Sequence, residues 1–61
     1  MTIKAIMEYC TNPEKYKVYV FSLSANAHLW IGEWNERPDN IEDEEIISFE
    51  TGIHEMTFNV D

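Results

Sequence analysis

Apolar and polar positions alternate along most of this chain. Ile3, Ala5, Met7 and Tyr9 alternate with Thr2, Lys4, Ile6 and Glu8. That period of two predicts a first strand. Thr11-Asn12-Pro13-Glu14 follows as a turn, because proline presets φ and asparagine accepts unusual backbone angles.

Residues 16–23 carry the clearest strand pattern. Tyr16, Val18 and Val20 fall on one face; Tyr19, Phe21 and Leu23 fall on the other. Nearly all are β-branched or aromatic, the types that fit a pleated surface. Apolar side chains on both faces predict a central strand that needs cover on both sides. Ser24-Ala25-Asn26-Ala27 is the next turn. Residues 28–34 give a third strand, with Leu29 and Ile31 on one face and Trp30 and Trp34 on the other. Gly32 between the tryptophans allows a ring or backbone to approach closely.

Residues 35–45 break the alternation. Asn35, Pro38, Asp39 and Asn40 are loop formers, and Glu42-Asp43-Glu44-Glu45 follows. The segment reads as a long acidic connection with room for a helical turn. Beyond it, Ile47 and Phe49 alternate, and so do Met56, Phe58 and Val60. Glu50-Thr51-Gly52 then reads as a three-residue hairpin loop with Gly52 in the left-handed position of a bulge. A helix competes for the same residues, since Ile46, Phe49, Ile53, Met56 and Val60 fall on heptad spacing and Asp39 could cap it. Gly52 in the middle and the poor helix formers Thr51, Thr57, Phe58 and Asn59 favour the hairpin.

The pattern as a whole predicts a mainly β protein. Its architecture would be a small antiparallel sheet of four to five strands in a meander, with an acidic loop or short helix around residues 35–45. Sixty-one residues suffice for one domain, 1–61. A chain of that size buries only about 60% of its unfolded surface, so the core is marginal. Cys10 is the only cysteine, which excludes an internal disulfide and fits a reducing compartment. No secretory signal pattern is visible at Met1, and the longest apolar run, Val18-Tyr19-Val20-Phe21, is far shorter than a membrane span. A soluble, cytoplasmic protein is the expectation.

Charge changes the picture most. Twelve Asp and Glu against four Lys and Arg give a net charge of −8. Phosphate backbones and anionic membranes repel such a chain, so direct nucleic-acid and membrane binding are disfavoured and basic proteins are favoured partners. Forty-four per cent hydrophobic residues, including eight aromatics, set it apart from a disordered acidic tail.

Candidate chemistry is sparse. Cys10, Ser22, Ser24 and Ser48 are nucleophile types and His28 and His54 base types, but none sits in a catalytic signature. Asp39 to Glu50 has acids at the first, fifth and last positions of a twelve-residue calcium loop. Ile41 at the third position and Glu44 at the sixth, where the turn needs glycine, remove a ligand and the turn. No cofactor, metal or catalytic role is expected.

Eight acids lie between Glu33 and Glu50: Glu33, Glu36, Asp39, Glu42, Asp43, Glu44, Glu45 and Glu50. The lysines lie elsewhere, at Lys4, Lys15 and Lys17. Asp39, Glu42, Asp43, Glu44 and Glu45 would span about 10 Å as a helix or about 23 Å extended. That charge density is near the one charge per ~3.4 Å of a nucleic-acid strand. With Trp34 and Ile41 as apolar anchors, these residues are the expected partner-binding surface. The expected function is a small acidic inhibitor that blocks a basic, nucleic-acid-binding host protein or complex through a DNA-mimicking carboxylate surface. In size, charge and β character the chain resembles phage and plasmid inhibitors of the anti-CRISPR, anti-restriction and repair-enzyme-inhibitor types. The alternative is a protein–protein adaptor, or a regulatory subunit in a homodimer, that uses a sheet edge or an apolar face.

Overall fold

The computed structural model describes residues 1–61. It is mainly β: four strands, β1 (Lys17–Ser22), β2 (Ala27–Glu33), β3 (Ile46–Gly52) and β4 (Glu55–Val60), in one sheet. One short helix, α1 (Ile3–Met7), precedes them.

The strand order is β2-β1-β4-β3. β1 pairs with β2 and β3 with β4 as antiparallel hairpins, while the central pair, β1 and β4, is parallel. The sheet is therefore mixed, and the expected antiparallel meander is corrected. A meander would set β3 beside β2. Residues 34–45 instead carry the chain across one face to the opposite edge, because Trp34 and Ile41 within them are buried in the core. The connection contains two 3-10 turns, Trp34–Glu36 and Asp39–Ile41.

The N-terminal segment is helical, which corrects the expected first strand. Its apolar residues satisfy a second period that alternation hides. Ile3, Ile6, Met7 and Cys10 recur at helical spacing, and all four pack into or against the core. Ile3 and Met7 are fully buried, whereas Tyr9, which a strand would have placed with them, is exposed. Thr2 is the N-cap, its Oγ1 accepting from Ala5 N–H at 3.2 Å. The two preceding donors are satisfied from far along the chain. Ile3 N–H donates to the Glu44 carbonyl and Lys4 N–H to the Glu42 carbonyl, each at 3.1 Å. The acidic connection thus caps a helix whose first turn has no acid of its own.

One sheet face forms the core. Val18 and Val20 on β1 and Met56, Phe58 and Val60 on β4 point into it, meeting Ile3, Met7, Trp34 and Ile41. This matches the face predicted for Val18 and Val20, and β1 is the central strand that its pattern predicts. The cover on its second face is absent: Tyr19 and Phe21 are only half-buried.

The third strand ends one residue earlier than expected. Trp34 leaves the sheet and turns inward. Trp30 faces the core opposite Val20, and its ring lies over Gly32, where an added Cβ would come within 2.8 Å of Trp30 Cζ2. The close approach predicted at Gly32 is therefore that of Trp30 itself.

The C-terminal residues form the hairpin and not the helix. Its loop, however, is Ile53-His54, with Gly52 paired to Glu55 at the end of β3. His54 takes the left-handed conformation (φ 56°) expected of Gly52. Its carbonyl accepts from Lys17 N–H at 2.9 Å and its ring meets Tyr16 edge-on at 5.9 Å. Those two contacts hold the turn against β1. Asn26 (φ 53°) has the matching role in the turn after β1, where Ser22 Oγ accepts from Ala25 N–H at 3.1 Å.

Candidate functional site

Two surfaces carry the features that bear on function. The first is the acidic connection. Two 3-10 turns, Trp34–Glu36 and Asp39–Ile41, interrupt it as it crosses the sheet, so its charges do not form one extended strip. Glu33, Glu36, Asp39, Asp43 and Glu50 are exposed, and Glu42 and Glu44 are half-buried. Two of the acids already have partners within the chain. Arg37 Nε donates to Glu42 Oε1 at 2.6 Å, and the Met1 amino group lies 2.6 Å from Glu45 Oε2.

Trp34 and Ile41, expected as apolar anchors for a partner, are 5% and 3% exposed. They face inward because the connection needs them to close the core. The Arg37 guanidinium lies 4.0 Å from the centroid of the Trp34 ring and donates to the Trp34 carbonyl at 2.9 Å. Trp34 N–H in turn donates to the Tyr16 carbonyl at 3.0 Å. Trp34, Arg37 and Glu42 therefore form a stack that holds the acidic turn in place from beneath. The arrangement leaves Glu33, Glu36, Asp39 and Asp43 exposed, with Trp34 and Ile41 turned inward from among them.

The second surface is the sheet face opposite the core, which sequence reasoning marked only through the two-sided pattern of β1. Tyr19 is opposite Ile31, and Phe21 is opposite His28, all on this face. The His28 ring meets Phe21 edge-on at 5.1 Å and lies 6.2 Å from Tyr19. A register shift between Val20 and Phe21 makes Leu29 an extra residue, and Leu29 and Ile31 are 49% and 46% exposed. The apolar patch lies on β1 and β2. The β4 and β3 half of the same face is polar: Asn59 donates to Ser48 Oγ at 3.0 Å, with Thr57 opposite Glu50. Lys17 stands at the border, over the Tyr19 ring at 5.3 Å.

Of the nucleophile types identified in the sequence, Ser22 and Ser24 meet each other at 3.4 Å between their hydroxyls, and none is hydrogen-bonded to His28 or His54. Ser22 is buried and caps its turn, His28 packs on Phe21, His54 forms a loop, and Cys10 Sγ lies 4.0 Å from the Ile6 carbonyl. In the calcium-like window from Asp39 to Glu50, Glu42 is held by Arg37 and residues from Ile46 onward are strand. No helix is long and apolar enough to cross a membrane.

No protein-family model, curated protein or solved structure matches this chain.

Proposed function

We propose that this protein is a non-catalytic binding module that docks on a basic partner protein through the open face of its sheet. The observation that carries the reading is the uncovered patch of Tyr19, Phe21, Leu29 and Ile31 on a four-stranded sheet whose other face is closed. Protein interfaces are built from a few desolvated aromatic and aliphatic anchors inside a polar rim. Here Glu33, Lys17 and Glu55 border the patch, being neighbours in the strand registers. The net charge of −8 selects against acidic partners and speeds encounter with basic ones.

A second reading keeps the acidic turn as the contact, blocking the nucleic-acid site of a basic host protein by mimicry. What favours it is the set Glu33, Glu36, Asp39 and Asp43, exposed and without cationic partners in the chain. Against it stand the inward anchors Trp34 and Ile41 and the engagement of Glu42 and Glu45.

Two variants separate the readings. Leu29→Ser with Ile31→Ser removes exposed apolar surface and leaves the core untouched. Glu36→Gln, Asp39→Asn and Asp43→Asn together remove the exposed, unpaired acids of the connection and spare the Glu42 and Glu45 ion pairs. Each is immobilised, and partners are captured from host lysate at about 50 mM and about 300 mM salt, across which screening shortens. The open-face reading expects the serine variant to lose the parent's partner at both salts. If that variant captures it as well as the parent, and the neutralised variant does not, mimicry takes its place.

A further inference from the structure

We propose that the free edge of β3 is a docking site for an extended partner segment of alternating basic and apolar residues, which joins the sheet as a fifth strand. β3 is an outer strand, so one side of its backbone has no strand beside it. Such edges are templates for pairing unless lysine, proline, a bulge or a covering element blocks them, and the one register shift in β3 lies at its start, between Ile46 and Ser48. The sequence Ile46–Gly52, IISFETG, contains neither lysine nor proline. Every residue in it after Ile46 is exposed, with apolar surface on Ile47 and on Phe49, which is 45% exposed.

The chain itself shows that this edge accepts main-chain pairing. Ile46 N–H donates to the Met1 carbonyl at 2.9 Å, and Thr2 forms an antiparallel bridge with Glu45. At Ile3 the backbone turns into α1, so the pairing stops at the beginning of β3. Residues 47–52 continue the same edge for about 20 Å of extended chain.

Charge chooses the occupant. From Pro38 to Asp61 the chain holds Asp39, Glu42, Asp43, Glu44, Glu45, Glu50, Glu55 and Asp61 and no lysine or arginine. An incoming acidic strand, or a second copy of this hairpin, meets like charge; a basic strand does not. The register sets the alternation. Phe49 is opposite Phe58 on the core side, while Ser48 and Glu50 are opposite Asn59 and Thr57 on the open side. A strand laid on this edge therefore places an apolar side chain beside Phe49 and basic side chains beside Ser48 and Glu50. This edge is separated from the β1 and β2 patch by β4, so the proposal and the open-face reading stand or fall separately.

The test uses the whole 15N-labelled chain and an eight-residue capped peptide of alternating lysine and valine, at about 50 mM salt. The expected result is saturable binding that shifts the amide signals of 47–52 and slows exchange of the outward-facing ones. Replacing the valines by proline, which removes N–H donors, should abolish it, as should replacing the lysines by glutamate. Glu50→Lys should weaken binding about tenfold or more, since reversing an edge charge turns attraction into repulsion. The proposal is overturned if the peptide does not bind, if the proline form binds equally, or if the shifts fall on Tyr19, Phe21 and Ile31.

Discussion

Gly32 lacks a side chain at a place that the Trp30 ring occupies. An alanine there would set Cβ 2.8 Å from Cζ2 of a half-buried indole packed against the core, so the ring must shift. Gly32→Ala is expected to destabilise the fold by about 1–3 kcal/mol, as overpacked sites do. A urea midpoint equal to or above that of the parent would contradict this contact. The need for a small residue was legible in the spacing Trp30-Gly32-Trp34, although the ring concerned is that of Trp30 alone. The left-handed residue of the last hairpin was not legible. Gly52 is the residue that propensity selects, but His54 takes the position because Lys17 and Tyr16 grip it from β1 and its approach. Propensity knows nothing of contacts made across the sheet.

Among the elements, α1 shows most clearly where pattern reading fails. Ile3, Ala5, Met7 and Tyr9 alternate, yet Ile3, Ile6, Met7 and Cys10 describe a helix equally well. Over so few residues both periods fit, and the decision is made by tertiary partners: the Glu42 and Glu44 carbonyls that satisfy its first donors. The acidic connection was recognisable as irregular and acidic, but its interior anchoring was not. Its position depends on the stack of Arg37 between Trp34 and Glu42. Arg37→Ala removes a cation over an indole and one partner of a half-buried ion pair, and should cost about 1–2 kcal/mol. Amide exchange should then quicken over residues 34–42 and at Ile3 and Lys4, whose acceptors lie in the same connection. Exchange that is unchanged at Ile3 and Lys4 would show that the connection holds α1 without the stack.

At the scale of the whole molecule, the inward faces of β1 and β4 were readable because alternation there reports burial directly. The order of the strands was not, because it depends on a crossing connection whose buried residues, Trp34 and Ile41, are isolated in an otherwise polar stretch. The same molecule carries its charge unevenly, with all four Lys and Arg within its first 37 residues. Self-repulsion of this kind weakens a compact state and is screened by salt. Raising sodium chloride from about 20 mM to about 500 mM, at which the Debye length falls well below 10 Å, should therefore raise the melting temperature. For a domain this small each kcal/mol gained corresponds to about 4–8 °C. A flat or falling melting temperature would mean that the ion pairs Arg37–Glu42 and Met1–Glu45 outweigh the unpaired acids.

The parallel contact between β1 and β4 also governs the order in which the fold can be acquired. Lys17 lies beside Glu55 in that contact, 38 positions away along the chain. Hairpins close in about 1–10 μs, but each one here owns only half of the interior. Val18 and Val20 find Met56 and Phe58 only after most of the chain has been drawn into a loop. The entropy of that closure is lost before any burial repays it, which places this protein among the slower folders for its length. On the ribosome, the first hairpin must wait, its apolar side open, until β4 has emerged.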